Sequence, residues 1–273
     1  GPQGGSTGGR RGFAALGGRG AYIGKVRDDQ LGEVFRHDIR ASGVSFDTPA
    51  ATTGAPTARC LILVTPDAQR TMQTYLGACV DLGPEEIDPA VIASASVTYL
   101  EGYLWDQPRA KEAFLKAADI AHQAGRKVAL SLSDPFCVGR HRDSFLDLVS
   151  GHVDLLFANE AEIMALYQSA SFDDALRSVR GHCDIAALTR GEKGSVVVAG
   201  DDVITVGAER ITQLVDTTGA GDLYAAGFLF GYTRGADFGA CARLGGLCAA
   251  EIISHFGARP EEPLKDLVAA RLP

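Results

Sequence analysis

No feature of this sequence restricts the fold more than the alternation of two periodicities through its middle. VTYLEGYLW starts at Val97, KVALSLS at Lys127, VDLLFAN at Val153 and DIAALT at Asp184. Each is a short apolar run with little polar alternation, the pattern of a strand buried on both faces. Between them stand helical stretches. PRAKEAFLKAADIAHQAG is amphipathic, opened by Pro108 in its first turn and closed by Gly125. DSFLDLVS and EAEIMALYQ are shorter and of the same kind. Strands separated by helices of this length predict an α/β fold, a parallel sheet with helices on both faces. In such sheets ligands sit beyond the carboxyl ends of the strands. The loops EGYLWD, LSDPF, ANEAE, LTRGEKG and VDTTGAGD all fall where a strand gives way to a loop.

The flanks read differently. AYIGKV (21–26) is a short strand, and DQLGEVFRHDIRASG is a helix stopped by Gly43. TARCLILV and RTMQTYL flank the turn Pro66–Asp67–Ala68 and predict a β-hairpin. GSVVVAG and DVITV read as a small antiparallel insertion. Two long helices close the chain, near 220–233 and 238–254. The first dozen residues are glycine-rich, and GPQGGSTGG has neither an initiator methionine nor a signal-peptide core.

Composition removes several classes of function. A formal charge of −8 on 273 residues leaves no basic excess for nucleic acid. No apolar stretch approaches the ~20 residues of a membrane span. The six cysteines (Cys60, Cys79, Cys137, Cys183, Cys241, Cys248) form no CxxC pair and no metal spacing with histidine, which fits buried, reduced thiols in a cytoplasmic protein.

The motif VDTTGAGDLYAAGF (215–228) is the most specific. Neither GxxxxGK[ST] nor GxGxxG is present; Tyr224 stands where the last glycine of the second would be. Consecutive amides of Gly219, Ala220 and Gly221 at a helix start make an anion site. A carboxylate placed there repels the anion unless it serves to take a proton from an attacking hydroxyl, the role this gives Asp222. An Asp in the first turn of a helix is also a common dipole partner.

On these residues the chain resembles the ribokinase-like (phosphofructokinase-B type) carbohydrate and nucleoside kinases over nearly its whole length. DTTGAGDLYAAGF is similar to their C-terminal signature, NEAE to their Asn-x-x-Glu and TRGEKG to their Thr-x-Gly-x-x-Gly nucleotide loop. LSLSDPF, RTMQTYLGA and LLFANEAE look most like the adenosine kinase branch. The resemblance implies one ribokinase-like domain over 1–273, with a small β lid from roughly 44–80. It implies ATP with Mg²⁺, and K⁺ in many members. It implies Asp222 as base, with Gly219, Ala220 and Gly221 holding developing charge and Arg70 reaching the transferred phosphate from the lid. Asn159, Glu162, Thr189, Gly191 and Gly194 are implied on the nucleotide, Glu162 toward magnesium through water. Asp216 and Thr218 are implied at the monovalent cation. Each has a plainer alternative: Asn159 as a helix N-cap, Asp216 as a turn former, Arg70 as a solvated hairpin side chain.

Gly4 and Gly5 are implied near the acceptor, where the family motif GG-x-x-x-N appears as GGSTGG with Gly9 in the asparagine position. The family's early strand and its sugar-gripping aspartate are not found before Gly4. Phe136 and Trp105 are either contacts to base or sugar or aromatics of core and rim. The implied reaction is phosphorylation of a nucleoside hydroxymethyl, adenosine to AMP, by a monomer or homodimer. A sugar kinase acting on ribose, fructose or a keto-deoxy acid, and a non-catalytic or incomplete nucleotide-binding relative, are the alternatives.

Overall fold

The structure, a computed structural model, describes residues 5–271. The chain forms two compact units, one from Gly1–Leu82 with Ala208–Pro273 and one from Gly83–Gly207.

The first unit opens with helix α1 (Gly5–Ala15), where the sequence reads only as glycine-rich. Strand β1 (Gly20–Ala21), helix α2 (Gln30–Ala41) and strand β2 (Val44–Ser45) follow. Asp29 caps α2 by accepting the Gly32 amide, and Gly43 (φ +82°) ends it in the left-handed region, as the glycine predicts. β1 and β2 pair in parallel, and the two segments meet again at Arg27 and Ala51. The ladder between is interrupted, which leaves AYIGKV mostly outside a strand. Its neighbour carries Pro49, which has no N–H, and the carbonyls of Phe46 and Thr48 accept arginine side chains of α2 instead. Strands β3 (Arg59–Val64) and β4 (Arg70–Tyr75) form the expected hairpin, Val64 opposite Arg70, with Ala68 at φ +61° in the turn.

The second unit is the sheet. Helix α3 (Pro89–Ser94) leads to β5 (Val97–Glu101), α4 (Pro108–Gln123), β6 (Lys127–Ser131), α5 (Pro135–Arg140), α6 (Arg142–His152) and β7 (Leu155–Asn159). Then come α7 (Glu160–Tyr167), α8 (Phe172–Val179), β8 (Ile185–Thr189), β9 (Ser195–Ala199) and β10 (Asp202–Val206). The spatial order is β10-β9-β8-β7-β6-β5, with β5 to β8 parallel. This is the mainly parallel α/β sheet the alternation predicts. The strands read as an insertion are antiparallel, but they extend this same sheet: β9 pairs with β8 through Ala187 opposite Val197, and β10 forms the edge. Val128, Leu130, Leu156, Leu188 and Val197 are wholly buried, as two-sided burial requires. At the amino ends of the strands, Lys127 bridges Asp154 (2.6 Å) and Asp184 (2.8 Å), and these hydrogen bonds raise its pKa.

The first unit resumes with helices α9 (Ala220–Tyr232), α10 (Phe238–Ile252) and a further one past the two expected, α11 (Leu264–Arg271). α9 and α10 touch through reciprocal glycines. A Cβ on Gly227 would lie 2.5 Å from the Leu244 carbonyl oxygen, and one on Gly245 2.7 Å from that of Tyr224. α1 approaches α9 in the same manner: a Cβ on Gly12 would meet Leu223 Cδ1 at 2.6 Å. The glycines of α1 therefore weaken an isolated helix and permit this close packing.

All six cysteines are free. Burial pushes the thiols of Cys79, Cys137, Cys183 and Cys248 up to about 12. Among the described residues no helix is long and apolar enough to cross a membrane.

Candidate active site

In the first unit the chain enters α9 through Asp216–Thr217–Thr218–Gly219. Asp216 is 2% exposed and holds this turn with both carboxylate oxygens. Oδ1 accepts from the Thr218 amide (2.9 Å) and hydroxyl (2.6 Å), and Oδ2 accepts from the Gly257 amide (3.0 Å). Burial pushes the carboxyl up, but hydrogen bonds from Thr218 and Gly257, with the charge of Arg70, outweigh it and hold the pKa below its ordinary value. Asp216 is thus an ionised, buried turn former.

Gly219 is the N-cap of α9 at φ +84°, a conformation glycine adopts at little cost, and it supplies no side-chain cap. Behind it Ala258 leaves little room: a Cβ on Gly219 would come within 3.2 Å of the Ala258 Cβ. A Cβ on Gly221 would meet no neighbouring element within 4 Å. Ala220, Gly221 and Asp222 make the first turn of α9, where the helix dipole is positive. Arg70, the first residue of β4, is exposed, and its Nη1 donates to the Thr217 hydroxyl across 147 residues of sequence. The hairpin therefore delivers a guanidinium to the turn that precedes Asp222.

The second unit gathers the other predicted residues at the carboxyl ends of β7 and β8, where Asn159 and Thr189 are register partners. Asn159 caps α7 in a reciprocal box. Its Oδ1 accepts from the Glu162 amide (2.9 Å), while Glu162 accepts from the Asn159 amide (2.9 Å) and Nδ2 (2.8 Å). Glu162 is 6% exposed, and burial, with the negative charge of Asp134 added, pushes its carboxyl up to about 7. A cation nearby would relieve this carboxyl. Because both oxygens already accept from Asn159, the donor set suits contact through water. No group of three or more His, Cys, Asp or Glu side chains converges as a metal site among the described residues. After Thr189 the chain turns tightly. Gly191 (φ +55°) and Gly194 (φ +83°) bracket a 3-10 turn closed by Arg190 N–H to Gly194 O (2.8 Å). Arg190 donates to Glu160 (3.2 Å) and lies 4.0 Å from the Phe172 ring centroid.

The two aromatics separate cleanly. Trp105 is 3% exposed, donates Nε1–H to Ser144 Oγ (2.8 Å) and packs on Phe114 and Phe145, so it belongs to the core. Phe136 is 77% exposed on α5. Gly5 begins α1, and Gly4 lies outside the described residues.

Three residues were not singled out from the sequence. Thr217 carries the contact to Arg70. Asp134 caps α5 by accepting the Phe136 amide (2.9 Å) and adds negative charge beside Glu162. Ser133, at φ +64°, sits in a backbone region uncommon for a residue with a Cβ, two residues past the end of β6. Asp134-Pro135 was the legible signal, an N-cap followed by proline in the first turn.

The first unit thus carries a polar turn at the head of a glycine-opened helix, and the second a mainly parallel α/β sheet whose carboxyl edge carries a capped Asn-x-x-Glu. The sequence profile of the pfkB family carbohydrate kinases matches residues 10–265. A probable sugar kinase from Rhizobium etli CFN 42 superposes with a TM-score of 0.95 at 50% identity, covering 97% of this chain and 81% of that one. The adenosine kinase of Sinorhizobium meliloti superposes at 0.94 and 54% identity, with the same 97% and 81% coverage. An ATP-dependent ribose-1-phosphate kinase of Halopiger xanaduensis is 32% identical over 256 residues, 92% of this chain and 79% of the relative. The chain belongs to the pfkB family of carbohydrate kinases, and it is a phosphotransferase with a sugar or nucleoside alcohol as acceptor.

Proposed function

We propose that this chain transfers the γ-phosphoryl group of ATP to the 5′-hydroxyl of adenosine, giving AMP and ADP. The observation that carries the proposal is the arrangement at α9, where Arg70 is hydrogen-bonded to the turn that leads into Gly219–Asp222. The 54% identity to an adenosine kinase supports the choice of acceptor. Asp222 takes the proton of the hydroxyl as its oxygen forms a bond to the γ-phosphorus and the bond to the β-γ bridging oxygen breaks. The Gly219–Gly221 segment and Arg70 meet charge that grows on the transferring group. Asn159, Glu162, Thr189, Gly191 and Gly194 serve the nucleotide, with Glu162 acting on magnesium through water. Bound Mg²⁺ supplies neutralisation of phosphate charge. The buried, ionised Asp216 with Thr218 supplies the negative field for a monovalent cation such as K⁺. Gly4, Gly5 and the exposed Phe136 are assigned to the acceptor, and the protein works in the cytoplasm.

A sugar kinase is the second reading, favoured by the 50% identity to a probable sugar kinase and by the ribose-1-phosphate kinase relative. A coupled ADP-release assay with adenosine, other nucleosides, ribose, ribose 1-phosphate and fructose separates the two. Adenosine should give the highest kcat/KM and a product with the mass of AMP. A tenfold preference for any sugar would transfer the assignment to the second reading, and ATP binding without product from any acceptor would remove both.

A further inference from the structure

Outside the α9 turn, the first unit has an open cleft of about 800 Å³ between α2 and the segment that follows β2. Arg27, Arg36, His37 and Arg40 line it with Asp28 and Glu33, and Asp47 stands 3.6 Å from Arg40 Nη2. Three guanidiniums and two carboxylates thus share one lining, and what sets the cleft apart is the gathering of the guanidiniums rather than a net charge. Arg36 and Arg40 are one helical turn apart, a like-charge spacing that is unfavourable in an isolated helix.

Each guanidinium is held by a backbone carbonyl. Arg27 Nη1 donates to Gly54 O (2.7 Å) and Arg36 Nη1 to Thr48 O (3.0 Å). Arg40 donates Nε–H and Nη2–H to Phe46 O (3.0 and 2.5 Å). Arg36 also lies over the Phe46 ring at 5.5 Å. A guanidinium has five N–H donors, so these anchors, with the ion pair of Arg40 to Asp47 (3.6 Å), hold each fork while using only part of its capacity. Holding the 46–54 segment to α2 needs one such contact per arginine. It does not need three cations and a histidine around one cleft.

We propose that this cleft binds the phosphate group of a small molecule, at a site separate from the α9 turn. Planar forks held in place match the geometry of phosphate oxygens and lose little side-chain freedom on binding. Cleft volumes of this size are those of small-molecule sites.

The test uses the whole chain with pyrophosphate as probe and reads the ring NMR signals of His37, assigned by their loss in His37→Gln. The expected result is a saturable shift that sodium chloride of equal ionic strength does not reproduce. Affinity should fall about tenfold or more in Arg36→Gln/Arg40→Gln, the loss of charge-assisted hydrogen bonds. In Arg36→Lys/Arg40→Lys, which keeps the charge and serves as the folded control by its melting temperature, it should fall less. Gly221→Glu, placed where the backbone has open space, puts a carboxylate at the α9 turn and should leave the His37 response unchanged. A linear shift, or one matched by sodium chloride, would mean screening only and overturn the site. Loss of the response in Gly221→Glu but not in the arginine variants would place the anion at α9 instead. An equal response to citrate would overturn the phosphate assignment.

Discussion

The starts of α7 and α9 are built in opposite ways. α7 begins on Asn159, whose side chain caps the helix and is itself held by Glu162. α9 begins on Gly219, which has no side chain to cap with, and its turn is held one step earlier by the buried Asp216. One helix end is satisfied from within, and its carboxylate is raised toward neutrality by burial. The other keeps its organising carboxylate ionised and presents bare backbone. The difference is one of what each helix end leaves open. The α7 end is a rigid bracket, and the α9 end is the place where an anion gains most from the helix dipole.

The strongest way to break this comparison is Asp222→Asn. Under the proposed function Asn keeps the size but cannot take the proton, so turnover should fall on the order of 10²–10⁴-fold. ATP affinity and melting temperature should stay nearly unchanged. If Asp222 is only a dipole partner, turnover persists and stability falls by roughly 0.3–1 kcal/mol instead. Coupled kinetics and thermal melts on the same samples decide.

The second prediction concerns pH. The Glu162 carboxyl lies at about 7 in the folded chain against an ordinary 4.5. Between those values the native state binds more protons than the unfolded state, so this group makes stability fall as pH rises from 4.5 to about 7. The size is about 3 kcal/mol over the window. Glu162→Gln removes that component, so the stability of the variant relative to the parent should climb with pH across the window. Urea denaturation at several pH values measures it. A difference that stays flat would mean that Glu162 is ionised throughout.

Third, Arg70→Ala should lower kcat about 10–100-fold, the loss of one charge-assisted hydrogen bond, with a smaller change in acceptor KM. Lysine should restore part of the rate, lacking the planar fork. An unchanged kcat would return Arg70 to a surface role, whatever its contact with Thr217.

The sheet was legible because two-sided burial writes continuous apolar runs, and the strands from Val97 to Thr189 fall where those runs are. The α9 turn was legible because glycine and acid types are restricted there. α1 was not. Its glycines read as low complexity, and only the presence of α9 shows that Gly9 and Gly12 are contact positions. α8 carries Phe172, Ala175 and Val179 at helical spacing behind a Ser171 cap, a signal present but too short to stand out. The long-range contact of Arg70 with Thr217 has no local signature, since it depends on how the hairpin lies on the turn. Trp105 shows the reverse difficulty: an aromatic beside a loop motif looks like a ligand contact until its burial is known.

The smallest effect comes from the bracket itself. Asn159→Ala removes the oxygen that caps the Glu162 amide, a change worth about 1 kcal/mol at a helix N-terminus. It also removes the Nδ2 donor to Glu162, which leaves that buried carboxylate with the backbone amide of residue 159 as its remaining partner in the box. The carboxyl should then move further up, so the cost should be larger at pH 8 than at pH 5, where the group is mostly protonated. Asn159→Ser separates the two parts. A serine hydroxyl can cap the helix but is too short to replace the Nδ2 contact, so it should recover stability at pH 5 and less of it at pH 8. Chemical denaturation of the three proteins at both pH values is sufficient. Equal losses at the two pH values would mean that the cap alone matters and that the carboxylate of Glu162 does not depend on Asn159. In that case the α7 end would be no more than an ordinary capped helix, and the contrast with α9 would rest on the glycine turn alone.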